Sequence, residues 1–385
     1  MSWIYLDNNA TTRLDPRVFE AMRPFLLDRY ANPSSIHQFG QQVRHAVETA
    51  REQMAALLGL TARQIVFTSG GTEANDLAIR GALAARPTKR HFVTTPIEHD
   101  SILRLTAELK REGYRVTQVP VDNLGRLDPG AFGAALDDDT ALASVMHANN
   151  ETGVILPIEQ LGEIAAARGV PLHVDATQTV GKLPLDLGAL PVQLVTLAAH
   201  KFHGPKGVGA LCVKHGVRLR SRLVGGHQER DLRAGTENVA GIVGMAKALQ
   251  LAVDHLPEER GRVRELRDRL EARICERVPS ARVLGHREHR LPNTTSIAFP
   301  YLEAEAILML LSNHEVCASS GSACSSGSLE PSHVLTAMGI EEPWTHGAIR
   351  FSLSRFTTAD EIDRTLAIVP QVIERLQTLG TPAPM

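Results

Sequence analysis

Leu172-His173-Val174-Asp175-Ala176 and Leu194-Val195-Thr196-Leu197-Ala198-Ala199-His200-Lys201 decide how this chain of 385 residues is read. Each is a short apolar run that ends on a charge, and the second leads into the glycine-rich segment 202–209. Asp175 and Lys201 stand 26 residues apart (201 − 175), the length of one strand-crossover-strand unit. In an open parallel sheet both would lie at the carboxyl ends of neighbouring strands, where such sheets bind ligands.

Working outward, strand candidates fall at 64–68, 91–95, 115–119, 141–147, 171–175, 193–198 and 209–213. Most are flat apolar runs, as buried parallel strands are, and helical patterns separate them. That alternation predicts an α/β fold, a mainly parallel sheet covered by helices. Residues 238–255 read as a long apolar-faced helix, and Pro257-Glu258-Glu259-Arg260-Gly261 reads as a boundary. Segment 258–277 is charge-dense, with apolar positions at Val263, Leu266, Leu270 and Ile274, so it is expected to be an amphipathic helix. Strands at 296–299 and 348–353 and a helix at 303–312 suggest a smaller α+β unit. The expected division is a large α/β domain over 16–256 and a small α+β domain built from 1–15 and 257–385.

Charge is nearly balanced, with 41 basic and 43 acidic side chains, so neither nucleic acid nor an anionic membrane is the expected partner. Residues 1–7 lack the basic-then-apolar pattern of a signal peptide, and no apolar run reaches the length of a membrane span. A cytoplasmic protein is expected. Four cysteines, at 212, 275, 317 and 324, show neither Cys-x-x-Cys spacing nor a paired histidine pattern, so no metal site is predicted. Cys212 and Cys275 read as buried small hydrophobes. Cys324 differs, because serine and glycine flank it on both sides, a composition that predicts a flexible loop.

Ile65-Val66-Phe67-Thr68-Ser69-Gly70-Gly71-Thr72-Glu73 reads as a strand, a glycine turn and a helix starting near Thr72. Such a turn aims backbone N–H groups and a hydroxyl at an anion, although many glycine turns only connect elements. Beside the Asp175–Lys201 pair it completes a pattern suited to pyridoxal phosphate (PLP). A lysine amine forms a Schiff base with the aldehyde, and an aspartate keeps the pyridine nitrogen protonated. An ordinary buried ion pair has the same local pattern. His99, just past a strand end, could stack on the ring or lie at the surface; Asn150 could contact the cofactor or only shape a turn. Arg350, embedded in Ala348-Ile349-Arg350-Phe351-Ser352-Leu353, needs an anion, either a substrate carboxylate or a protein one.

With these residues assembled, the chain resembles the cysteine desulfurases of the class V aminotransferase group, and most closely the NifS/IscS-like branch. The resemblance rests on an ordered series of strings. They are Tyr5-Leu6-Asp7-Asn8-Asn9-Ala10-Thr11-Thr12, Asn32-Pro33-Ser34-Ser35, Gly225-Gly226-His227-Gln228-Glu229, Arg233-Ala234-Gly235-Thr236-Glu237-Asn238 and Arg350-Phe351-Ser352-Leu353-Ser354-Arg355. The strongest is SSGSACSSGSLEPSH at 319–333, which looks like the long cysteine loop of that branch.

The resemblance implies the PLP-dependent transferase fold type I and a homodimer. It implies that Lys201 carries PLP, Asp175 pairs with the pyridine nitrogen and His99 stacks on the ring. Gln178 and Asn150 would contact the cofactor hydroxyl or substrate, and Gly71, Thr72 and His200 the phosphate, with Thr236 added from the second subunit. Arg350 would bind the carboxylate of L-cysteine, and Cys324 would take the sulfur. An iron–sulfur scaffold or another acceptor protein would receive it; nitrogen fixation, general cluster assembly and tRNA thiolation all stay open as destinations. One departure stands out: many relatives have a phosphate-binding serine where this chain has Ala198.

Overall fold

A computed structural model of the chain describes residues 3–321 and 331–380. Its large sheet has seven strands, in the order Ile65–Thr68, Gly209–Val213, Leu194–Ala198, Leu172–Asp175, Thr140–Met146, His91–Thr94 and Arg115–Gln118. Alternate residues along these strands enter two different cores, as a pleat of period two requires. Val66, Phe92, Leu194 and Leu211 pack under the helices Gly71–Ala84 and Asp100–Arg111. Phe67, Val93, Val195 and Cys212 face the opposite way, toward the helices Pro16–Leu27, Gln38–Leu57, Ile158–Ala167 and Val239–Asp254. Both faces are covered, which is why the sequence shows flat apolar runs.

The sheet is mainly parallel, as expected, and two strands depart from the buried parallel pattern. Gly209–Val213 runs antiparallel to both of its neighbours. Only residues 199–208 connect it to the preceding strand, too few for a parallel crossover, which takes roughly a dozen or more. Arg115–Gln118 is no buried strand either; it lies at the sheet edge with both ends exposed. The antiparallel strand begins at a point that only glycine fits. A Cβ on Gly209 would come within 2.7 Å of the Gly70 carbonyl carbon and of Leu197 O. The phosphate-type turn at Gly70 therefore rests on the backbone of residue 209.

A second, antiparallel sheet has the order Ser319–Ser320, Ala348–Ser352, Thr294–Ala298 and Arg282–Leu284. Ile4–Tyr5 pairs in parallel with Val316–Cys317 beside it. Ile4, Leu6, Leu270, Ile297, Ile307, Phe351 and Ile362 share one separate core, which joins the helices Arg264–Arg277, Ala304–Asn313 and Ala359–Gly380. The four apolar positions at 263, 266, 270 and 274 are all buried in it. The segment 257–261 is helical rather than open. Leu256–Glu258 and the π-turn Glu259–Val263 lead into Arg264–Arg277, and the axis bends by 52° from Val239–Asp254. Pro257 lies in a first turn, where its missing N–H leaves no bond unmade. Among the described residues no single helix is long and apolar enough to cross a membrane.

Candidate active site

A cavity of about 360 Å³ opens at the carboxyl ends of Leu172–Asp175 and Leu194–Ala198. Of the residues singled out from the sequence, Gly71, Thr72, His99, Asn150, Asp175, Gln178, His200, Lys201 and Arg350 all line it. Thr236 does not; it is exposed in the loop before the helix Val239–Asp254. Cys324 lies outside the described residues, as does most of its serine- and glycine-rich segment, while Gly321, three positions earlier, reaches the cavity.

Asp175 ends its strand in register with Thr196 of the neighbouring strand. Its Oδ1 accepts from the Thr177 backbone N–H (3.0 Å) and hydroxyl (2.6 Å), and its Oδ2 from Asn75 Nδ2 (2.9 Å). Lys201 closes the turn Ala199–Lys201 after the next strand and is half-buried. Its Nζ donates to the carbonyls of Asn9 (2.6 Å) and Ala10 (2.9 Å).

The helix Gly71–Ala84 presents its N-terminus to the same space, so its first N–H groups, which have no partner within the helix, point there. A Cβ at Gly71 would lie 3.1 Å from Thr177 Cγ2 and 3.5 Å from Ala198 Cβ. Ala198 itself lines the cavity and offers it no hydroxyl. Burial, with Lys201 next in strength, holds His200 down at about 4, so its imidazole is neutral near pH 7.

His99 caps the helix Asp100–Arg111. Its Nδ1 accepts from the backbone N–H of Ser101 at 3.1 Å, with the Ser101 hydroxyl 2.9 Å away. Burial lowers its pKa, and Lys201 adds to this while Asp175 opposes it. A neutral ring that accepts at Nδ1 carries its proton on Nε2.

Arg350 resolves both readings of its partner. Its Nη2 pairs with Asp7 Oδ1 at 2.7 Å and its Nη1 donates to the Asn150 carbonyl at 3.0 Å, while the buried Nε has no partner among the described residues. A protein carboxylate holds the guanidinium, and a donor remains for a ligand.

Sequence reasoning missed Asn75, Ser101 and Thr177, which line the cavity and bond to Asp175 or His99. Asn75 lies one turn into the glycine-turn helix, the one signal that could have found it. Asn9 and Ala10 were quoted as part of a string but given no role. Cys212 is buried as expected, with its thiol pushed up to about 12 by burial, whereas Cys275 is only half-buried.

The family model for class-V aminotransferases matches residues 4–365 of this sequence. The chain belongs to the class-V aminotransferase family. Within it, the chain is 53% identical over 380 residues to a cysteine desulfurase of Trichormus azollae, covering 99% of this chain and 95% of that one. It is 49% identical over 381 residues to the cysteine desulfurase NifS of Azotobacter vinelandii, covering 99% and 95%. Among solved structures, a NifS-like protein superposes with a TM-score of 0.92 at 38% identity, covering 97% of this chain and all of that one. This class-V chain is therefore a member of the NifS-like cysteine desulfurases, with the type I fold of PLP-dependent transferases.

The residues present fit PLP. A helix N-terminus, the Thr72 hydroxyl and neutral His200 suit a phosphate; an amine, a carboxylate and an imidazole line the space beyond them. The Nε of Arg350, without a partner among the described residues, suits an amino-acid carboxylate.

Proposed function

We propose that this chain is a PLP-dependent cysteine desulfurase that converts L-cysteine to L-alanine and hands the sulfur, as a persulfide on Cys324, to an acceptor protein for iron–sulfur cluster assembly. The observation that carries this reading is one cavity joining Lys201, Asp175, His99 and Arg350 to the N-terminus of Gly71–Ala84. When bound, PLP supplies an electron-accepting ring that stabilises a carbanion at the substrate and weakens its carbon–sulfur bond. Lys201 would hold the cofactor, Asp175 would keep the pyridine nitrogen protonated, and Gly71, Thr72 and His200 would take the phosphate. Asn150 and Gln178 would contact the cofactor hydroxyl or the substrate.

Arg350 would orient cysteine by its carboxylate, and Lys201 Nζ would take the α-proton. His99 holds its proton on Nε2 and is placed to give it up. The Cys324 thiolate would then attack the substrate sulfur. A sulfur–sulfur bond forms as the carbon–sulfur bond breaks, the electron pair stays on the carbon fragment, and protonation of that fragment gives alanine. A free thiol has a pKa near ~8.5, so Cys324 needs its proton removed for this step.

The same reading includes a cytoplasmic homodimer in which Thr236 serves the partner's phosphate site. Its exposed position outside its own cavity supports this. It also includes the division into a domain of 16–256 and one of 1–15 with 257–385, supported by the separate core around Ile4 and Phe351.

The test is to supply purified protein with PLP, L-cysteine and a thiol reductant and measure sulfide and alanine. Equal amounts of both, with borohydride fixing PLP to Lys201, are expected. A protein that gains no absorbance band with PLP would refute the reading; pyruvate in place of alanine would indicate a β-lyase.

A further inference from the structure

Lys182 is buried, only 6% exposed, and has no part in the chemistry above. The turn that delivers it is tight. Gly181 has φ +77°, and a Cβ there would come within 2.7 Å of Ala252 Cβ on the helix Val239–Asp254. From this turn Lys182 Nζ donates to Gln178 Oε1 at 2.9 Å. Gln178 Nε2 donates in turn to the Asn9 carbonyl at 2.9 Å, and that carbonyl also receives Lys201 Nζ at 2.6 Å. Lys182 thus reaches the Asn9 carbonyl through Gln178, and Lys201 reaches the same carbonyl from the cavity.

We propose that Lys182 is a positioning residue for the reaction: it fixes the Gln178 amide with its N–H side toward Asn9 and the cavity, and it sets a positive charge behind Lys201. The proposal rests on the PLP reading above. Its logic follows from donor and acceptor types. In its charged form Lys182 only donates, and a backbone carbonyl only accepts, so the amide between them has a single orientation. Without Lys182, the buried Oε1 would lose its donor and the amide could turn, presenting the wrong group to a ligand.

The charged groups acting on Lys182 are Lys201, Glu259 and Arg350. Burial lowers Lys182 to about 7; Lys201 and Arg350 push the same way and Glu259 opposes them. Glu259 belongs to the π-turn at the 52° bend, and Arg355 and Glu258 act on it besides Lys182. Burial raises it to about 7, and its Oε2 has no partner among the described residues. Two cations this close repel, so each makes a proton on the other less favourable. Lys182 therefore favours the unprotonated Lys201 nitrogen that proton abstraction needs.

The experiment titrates the absorbance band of the holo-protein with pH and measures its dissociation constant for PLP. Four proteins are compared: wild type, K182M, K182R and the charge-free pair K182M/E259Q, which avoids a lone buried carboxylate. K182M and the pair should raise the midpoint by about one pH unit, the shift expected from one partly screened charge. They should also weaken PLP by about tenfold, through the unsatisfied Gln178 carbonyl. K182R, which keeps a permanent cation and its N–H donors, should hold the midpoint at or below the wild-type value. An unchanged midpoint and PLP affinity in K182M/E259Q would overturn the proposal, as would a loss of thermal stability alone. A wild type without the band would instead remove the PLP reading itself, so the two failures are distinct.

Discussion

Asn75 donates to Asp175 across 2.9 Å, and the same amide nitrogen donates to Ser101 Oγ at 2.9 Å. Both amide protons are then used, so the Ser101 hydroxyl proton is left to point at His99 Nδ1. Asp175 and His99, the residues assigned to the ring nitrogen and to the ring face, are joined through Asn75, which donates toward both.

The first prediction follows from that direction. In ¹⁵N-histidine NMR spectra at about pH 8, His99 should be neutral with its proton on Nε2, since burial holds its pKa below the ordinary imidazole value. Asn75→Ala should remove one donor from the Asp175 carboxylate and weaken PLP binding by about 1–2 kcal/mol, roughly one decade. A signal for Nδ1–H on His99 in the wild type would contradict the network.

Glu98 gives a pH test of stability. Burial pushes its carboxyl up to about 8, with Asp175 adding to the rise against bonds from Thr95 and Met146. The folded chain thus keeps this proton where the unfolded chain, with a pKa near 4.5, loses it. A raised folded pKa contributes stability that is complete below the unfolded value and fades as pH climbs through the folded one. Wild type should therefore lose ground to Glu98→Gln between pH 4.5 and 8, by at most about 1.4 kcal/mol per pH unit. Unfolding free energies of both proteins across that window check this; a constant difference would show that Glu98 stays ionised.

Arg350→Ala should keep PLP but lose affinity for cysteine by about 1.5–3 kcal/mol, one to two decades. Arg350→Lys should recover only part, because an ammonium cannot hold Asp7, the Asn150 carbonyl and a ligand carboxylate with a planar fork. Spectral titration with cysteine separates this from folding. Loss of soluble protein in both variants would mean that the Asp7 ion pair is the residue's main task.

Cys324→Ala should bind PLP and respond spectrally to cysteine, yet release almost no sulfide. Mass spectrometry after a cysteine pulse should find the extra sulfur on Cys324. Alkylation of Cys212 should be slower than that of Cys324, as its buried thiol is held near 12. Full sulfide release by the variant would show that no protein thiol is needed.

Much of the site was legible because it lies where apolar strands end. Asp175, Lys201, His99 and Asn150 each follow such a run, and the runs are conspicuous because both sheet faces are covered. The direction of Gly209–Val213 was not read, since composition does not encode it; only the short connection 199–208 does. Pro257 and Gly261 read as a break because loop composition and a helix first turn look alike. Contacts far apart in sequence stayed hidden. The Lys201 amine bonds to Asn9 and Ala10, and Arg350 to Asp7, 343 positions away. Ile4–Tyr5 and Arg282–Leu284 are too short to show any period.

The Asn9 segment has a consequence for the order of assembly during synthesis. Its carbonyl receives Lys201, its side chain donates to Thr294 Oγ1, and its backbone N–H donates to Ser352 Oγ. A growing chain meets the first of these partners long before the last. Loops that span most of a chain close slowly, because their entropy is spent before the contacts form. The large sheet can thus be in place, with Gln178 and Lys201 already on the Asn9 carbonyl, while the Asn9 side chain and backbone N–H still lack Thr294 and Ser352. The segment is fully fixed only once Ser352 has left the ribosome. Ribosome-bound chains halted before that residue should hold PLP weakly, and those halted well beyond it should hold it as the finished protein does.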